Sequence, residues 1–156
     1  MTSIDDTWYI RPSDVRDRTS AGGFVVRRDN NGTVLVAFAR EGDHENLVIP
    51  KGGVDDGETT EDAAKREIEE ELGILAANLT TLTELGTRAR LTYNRRYWVT
   101  THYFVFITDQ IDGTPTDTKR HWHGPTWVPL DDSPELFWPE QTKLFADNIE
   151  LIRSLV

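Results

Sequence analysis

The chain has 156 residues, the length of one domain with a single core. Apolar residues make up 37% and charged residues 28%, an ordinary globular balance that excludes a disordered chain. A formal net charge of -10 excludes general affinity for nucleic acid polymers or anionic membrane surfaces, unless the few bases are gathered in one place.

Residues 1–19 are polar, with Trp8, Tyr9 and Ile10 as their apolar cluster, and are expected to form an arm ahead of one domain over 20–156. They hold no apolar signal core, and no run in the chain nears the roughly 20 residues of a membrane span, so a cytoplasmic protein is expected. Residues 21–28 and 33–40 are β-rich runs flanking Asp29-Asn30-Asn31-Gly32, a hairpin signal. A short strand at 47–49 is ended by Pro50, and residues 51–58 form a loop rich in glycine and acid. Thr59 or Thr60 caps a helix that runs to Leu72, with Glu61 and Asp62 in its first turn and Gly73 as its stop. Ala64, Ile68 and Leu72 give that helix a buried stripe. Strands are expected over 79–93 and 97–108, a polar loop over 109–124, a short strand over 126–130 and a closing helix over 140–155. The layout is α/β, a mixed sheet with two main helices.

Chemistry concentrates in residues 52–74, GGVDDGETTEDAAKREIEEELGI. On a helix Glu67, Glu70 and Glu71 stand at i, i+3 and i+4, so their carboxylates share nearly one face. Like charges at that spacing repel by about 0.2–0.5 kcal/mol per pair, and a hard divalent cation reverses the sign. Oxygen donors alone point to Mg²⁺, with Mn²⁺ as a substitute, rather than zinc. The chain has no cysteine, which removes disulfides, thiolate-bound zinc and a cysteine nucleophile.

Gly52, Glu58, Arg66-Glu67, Glu70-Glu71 and Gly73, with Ile68 and Ile74 at the aliphatic positions, match the Nudix box without a departure. On this segment the chain resembles the Nudix hydrolases. The resemblance implies an α/β/α sandwich and metal-assisted hydrolysis of a phosphoanhydride. It implies Glu67, Glu71, Glu70 and the Gly52 carbonyl as metal ligands, and Glu70 as general base where it is not a ligand. Arg66 is then the arginine that holds the loop by pairing with Glu58.

The lead-in to the box, Pro50-Lys51-Gly52-Gly53-Val54, is similar to that of the branch acting on diphosphoinositol polyphosphates and diadenosine polyphosphates. Lys51 then carries charge to the scissile phosphates, and Arg18, Arg40, Lys119 and Arg120 are candidates to grip a small polyphosphate. Alternatives are a nucleoside triphosphate pyrophosphatase and a non-catalytic Nudix-like binding module. The loop before Trp127 offers Arg120, His121 and His123 about where several subfamilies place a further acid, so the box carboxylates are expected to act without one. Trp8, Trp122 and Trp138 are candidates to clamp a base. A small-molecule substrate is expected rather than a nucleic acid polymer or a membrane, and the aromatic N-terminus is a surface on which a homodimer could form.

Overall fold

The computed structural model describes residues 3–156. Six strands form one mixed sheet: β1 (Arg16–Arg28), β2 (Val34–Phe38), β3 (Lys51–Gly53), β4 (Thr80–Leu91), β5 (Tyr97–Ile107) and β6 (Thr126–Pro129). They lie in the order β4-β5-β1-β2-β6, with β3 also paired to β1. Helices α1 (Thr60–Leu72) and α2 (Pro139–Leu155) cover opposite faces.

The alternation along β1 sorts the core into two halves. Ala21 and Val25 pack with Ala63, Ala64, Ile68 and Leu72 of α1. Phe24 and Val26 pack with Leu144, Phe145 and Ile152 of α2. Burying each such large apolar side chain contributes about 1.5–3 kcal/mol. The result is a three-layer α/β/α sandwich, as expected.

The ends of α1 follow their sequence signals. Thr59 is the N-cap, its hydroxyl accepting the Asp62 amide at 3.1 Å. Gly73 ends the helix at φ 76°, and a Cβ there would come within 2.2 Å of the Thr114 backbone. That contact folds the 109–124 loop over the end of α1.

Two boundaries differ from expectation. Residues 16–19, expected in an arm, begin β1, because their backbone pairs in parallel with Tyr97 to Thr100 of β5. Trp8 is 2% exposed, so this segment packs onto the body; its first two residues lie outside the described ones. The short strand expected at 47–49 is reduced to bridges of Val48 with Ala39 and Leu47 with Leu136. The strand forms instead at β3, where the backbones of Lys51, Gly52 and Gly53 lie against Gly22, Ala21 and Ser20. Among the described residues no helix is long and apolar enough to cross a membrane.

Candidate active site

β3 leads into a loop that returns to α1, and Arg66 joins the two. Its Nε and Nη2 donate to Glu58 Oε2 and Oε1 at 2.8 and 2.9 Å, and Nη2 also donates to the Gly53 carbonyl at 2.7 Å. Nη1 reaches along the helix to Glu67 Oε1 at 2.9 Å and Glu70 Oε2 at 3.2 Å. The guanidinium therefore fixes the loop and draws two carboxylates toward itself. Its hydrogen bonds hold the Glu58 carboxyl down at about 2.

Glu71 points inward and is 5% exposed. Burial, then the Glu67 charge, pushes its carboxyl well above the ordinary range. Burial also raises Glu67, against the opposing hydrogen bond from Arg66 and with a further push from Glu70. The Lys51 amide donates to Glu71 Oε1 at 3.4 Å. Burial lowers the Lys51 ammonium to about 8, with the Arg90 charge as the next cause.

The donors fit a hard divalent cation. All are oxygens, Glu71 is buried and Glu67 half-buried against the preference of a carboxylate for water, and the Gly52 backbone presses on the second: a Cβ there would meet the Glu67 carboxylate at 2.2 Å. Among the described residues no three acidic or histidine groups converge as a tight cage. Arg66 Nη1 holds Glu67 and Glu70 as ion pairs.

A cavity of about 750 Å³ opens over these groups. It is lined by Gly52, Glu67, Glu70 and Glu71, and by the candidate cations Arg18, Lys51 and Arg120. Arg40 and Lys119 do not line it. Arg40 Nη1 instead donates to the Gly42 and His44 carbonyls, 3.4 Å each, holding its own loop. His121 and His123 are outside the cavity too; His123 Nε2 lies 2.7 Å from the Gly42 carbonyl oxygen.

Two features escape a reading of the sequence. Asp117 brings a further carboxylate to the cavity, ten positions before Trp127, and its amide donates to the Glu70 carbonyl at 3.1 Å. The loop therefore does carry an acid, four positions further from Trp127 than the spacing of about six that other subfamilies use. The second is an aromatic wall of Tyr93, Tyr97, Phe137 and Trp138, of which Trp138 was among the expected clamp residues. Tyr93 is 48% exposed, stacked on Trp8 behind it at 6.3 Å and set edge-on to Trp138 at 6.4 Å. Of the three tryptophans singled out, Trp122 and Trp138 line the cavity, and Trp8 is buried behind it.

Wall and carboxylates are separated along β1. Tyr97 lies beneath the Arg18 guanidinium at 3.7 Å, whereas Lys51 pairs with Gly22, four residues and ~13 Å further on. The cavity thus has an aromatic end and an acidic end, with cations along its length.

The NUDIX domain model matches residues 17–148. The chain is 30% identical to an RNA pyrophosphohydrolase of Erythrobacter litoralis, over 92% of this chain and 94% of that one. It is 31% identical to an 8-oxo-dGTP diphosphatase of Haemophilus influenzae, over 87% and 89%. Its fold is similar to that of a C. elegans Ap4A hydrolase, with a TM-score of 0.67 at 20% identity, covering 88% of this chain and 98% of the other. The chain belongs to the Nudix family and is a Nudix hydrolase, an enzyme of phosphoanhydride bonds.

Proposed function

We propose that the protein hydrolyses the polyphosphate chain of a nucleoside polyphosphate, with dinucleoside polyphosphates as its leading substrate class. The observation that carries this reading is the two-ended cavity. A half-exposed tyrosine backed by Trp8, Phe137 and Trp138 suits the flat face of a base. A diphosphoinositol polyphosphate, anionic on every side, has no counterpart to that neutral wall, so the inositol half of the expected branch is less favoured.

Glu67, Glu71 and the Gly52 carbonyl are the groups that would hold Mg²⁺, which leaves Glu70 free to act as the base. Bound there, the ion supplies Lewis-acid polarisation of the phosphoryl oxygens and lowers the pKa of its water. The chain's own residues do the rest. A carboxylate at Glu70 takes the proton as a water oxygen bonds to phosphorus and the anhydride P–O bond breaks. Arg66 keeps the loop and α1 in register through Glu58 and Gly53. Lys51 and Arg120 stand where charge on the departing phosphate can be met.

A second reading, hydrolysis of a 5′-triphosphate on a nucleotide or an RNA end, is favoured by the names of the two relatives above. A magnesium-dependent phosphate-release assay separates the two. Its panel holds diadenosine tetra-, penta- and hexaphosphate, a diphosphoinositol polyphosphate, ADP-ribose, normal and oxidised deoxynucleoside triphosphates and a 5′-triphosphorylated oligoribonucleotide. The expected result is the highest kcat/KM on a dinucleoside polyphosphate, lost in Glu70→Gln. Preference for the triphosphates keeps the chemistry and replaces the substrate, whereas preference for the inositol compound removes the base-binding wall from the account.

A further inference from the structure

Arg90 is an arginine that the box chemistry does not use, and it is 4% exposed. Three of its surroundings are fixed. Nε donates to Glu140 Oε1 at 2.5 Å, Nη1 donates to the Leu91 carbonyl at 3.1 Å, and the guanidinium lies 3.3 Å over the Trp138 ring. Glu140 is held in turn, its Oε2 accepting from the Tyr9 hydroxyl at 2.6 Å. It also stands in the first turn of α2, where the helix dipole favours an acid. The fork is therefore clamped on one side and stacked below.

Nη2 has no hydrogen-bond partner among the described residues, although Arg90 lines the cavity. Among the described residues, Trp8 Nε1 and Arg27 Nε are the buried side-chain donors left without a partner and Nη2 is not among them, so this donor opens to the cavity, where an anionic oxygen can take the place of water. Strand register gives its direction. Arg90 pairs with Val99 and Val99 with Arg18, so the three form one row across β4, β5 and β1 and share a face. Gly22, opposite Lys51, lies on that same face, four residues along β1 from Arg18. Arg18, Arg90 and Lys51 thus form a cationic track on the sheet beneath the cavity, and Arg90 is its buried member.

We propose that Arg90 is a substrate-binding residue, its Nη2 donating to an oxygen of the phosphate between the base-binding wall and the scissile anhydride. The assignment rests on the nucleoside polyphosphate reading above and adds to it the group that reads the middle of the chain. Trp138 belongs to both parts, since it stacks beneath Arg90 and joins Phe137 and Tyr93 at the aromatic end. Glu140, Tyr9 and Trp138 are positioning residues that aim the fork. A guanidinium suits the task better than an ammonium, because its planar donors can serve a carboxylate and a phosphate together.

Removing Arg90 alone leaves Glu140 buried without its cation, which can unfold the protein. Two variants are therefore measured, Arg90→Lys and the double variant Arg90→Gln/Glu140→Gln, which removes both charges. Steady-state kinetics on diadenosine tetraphosphate should give a KM raised about tenfold or more with kcat within a few-fold of the parent. A variant that keeps the parent's melting temperature and its KM overturns the proposal.

A second measurement needs no folded variant of Arg90. Inorganic tripolyphosphate is titrated into the parent and into Trp138→Phe without metal, followed by calorimetry and tryptophan emission. Binding with an emission change that Trp138→Phe loses supports the proposal. Absence of binding to the parent, or binding with no Trp138-dependent change, overturns it. Because tripolyphosphate binding is read without turnover, this outcome is independent of whether the substrate panel succeeds.

Discussion

Arg66 and Glu58, eight positions apart, face each other fork to fork between helix and loop, with Nε–Oε2 at 2.8 Å and Nη2–Oε1 at 2.9 Å. This pair sets the shape of the loop and so the distance between the Gly52 backbone and the Glu67 carboxylate. Glu58 is ionised in the fold at any pH above about 2, against an ordinary value of 4.5. A carboxyl lowered by folding adds stability that is fully present above pH 4.5 and is lost as pH falls from there toward 2. Glu58→Gln should therefore cost roughly 2 kcal/mol at neutral pH. The gap to the parent should close between pH 4.5 and 2. Urea melts across that range check it, and a gap that stays constant with pH would show that the charge is irrelevant.

Gly52 is the second fixed point. A methyl group there meets the Glu67 carboxylate at 2.2 Å, and the flexible end of the glutamate can swing aside at little cost to folding. The displaced group is an expected metal ligand. Gly52→Ala should thus melt within a few degrees of the parent without metal, yet need about tenfold more Mg²⁺ for the same gain in melting temperature. At fixed Mg²⁺ that is about 1.4 kcal/mol less stabilisation. An identical magnesium response would remove Gly52 and Glu67 from the cation site.

Asp117 tests whether the loop over α1 takes part in the chemistry. Its Oδ1 accepts the Lys119 amide at 2.9 Å and its Oδ2 accepts the Trp122 indole N–H at 3.3 Å. Asparagine keeps one of those acceptors and loses the charge. If the carboxylate serves the reaction, Asp117→Asn should lower kcat by roughly 10²-fold with little change in melting temperature. An unchanged kcat would assign Asp117 to loop structure.

The parts legible in the sequence are those fixed by local rules. Thr59, Gly73, the stripe at Ala64, Ile68 and Leu72, and the i, i+3, i+4 carboxylates all depend on helix geometry within one segment, and α1 follows them. The parts that were not legible depend on pairing between distant segments. Residues 16–19 carry polar side chains and become strand because β5 lies alongside them. Arg40 and Arg90 are equally basic in the sequence, yet Arg40 bonds the carbonyls of its own loop and Arg90 enters the cavity. The alternation in β4 could have put Arg88 and Arg90 on one face; that Glu140 and Trp138 wait there is set by α2, fifty residues on.

The aromatic wall gives the sharpest separation of substrate classes. Tyr93 has its ring stacked on Trp8 at 6.3 Å and tilted to Phe137 at 5.9 Å, which fixes its plane while 48% of the residue stays exposed. A ring held this way offers a stacking surface with little rotamer entropy left to lose. Because it is half exposed, Tyr93→Ala should leave the fold intact. Base–aromatic stacking is worth about 1–3 kcal/mol, so KM for a dinucleoside polyphosphate should rise roughly 5- to 150-fold. Inorganic tripolyphosphate has no base, and its affinity should not move. An equal loss for both ligands would mean that Tyr93 shapes the phosphate track; no loss for either would place the base elsewhere, with Trp122 the next aromatic on the cavity wall to test.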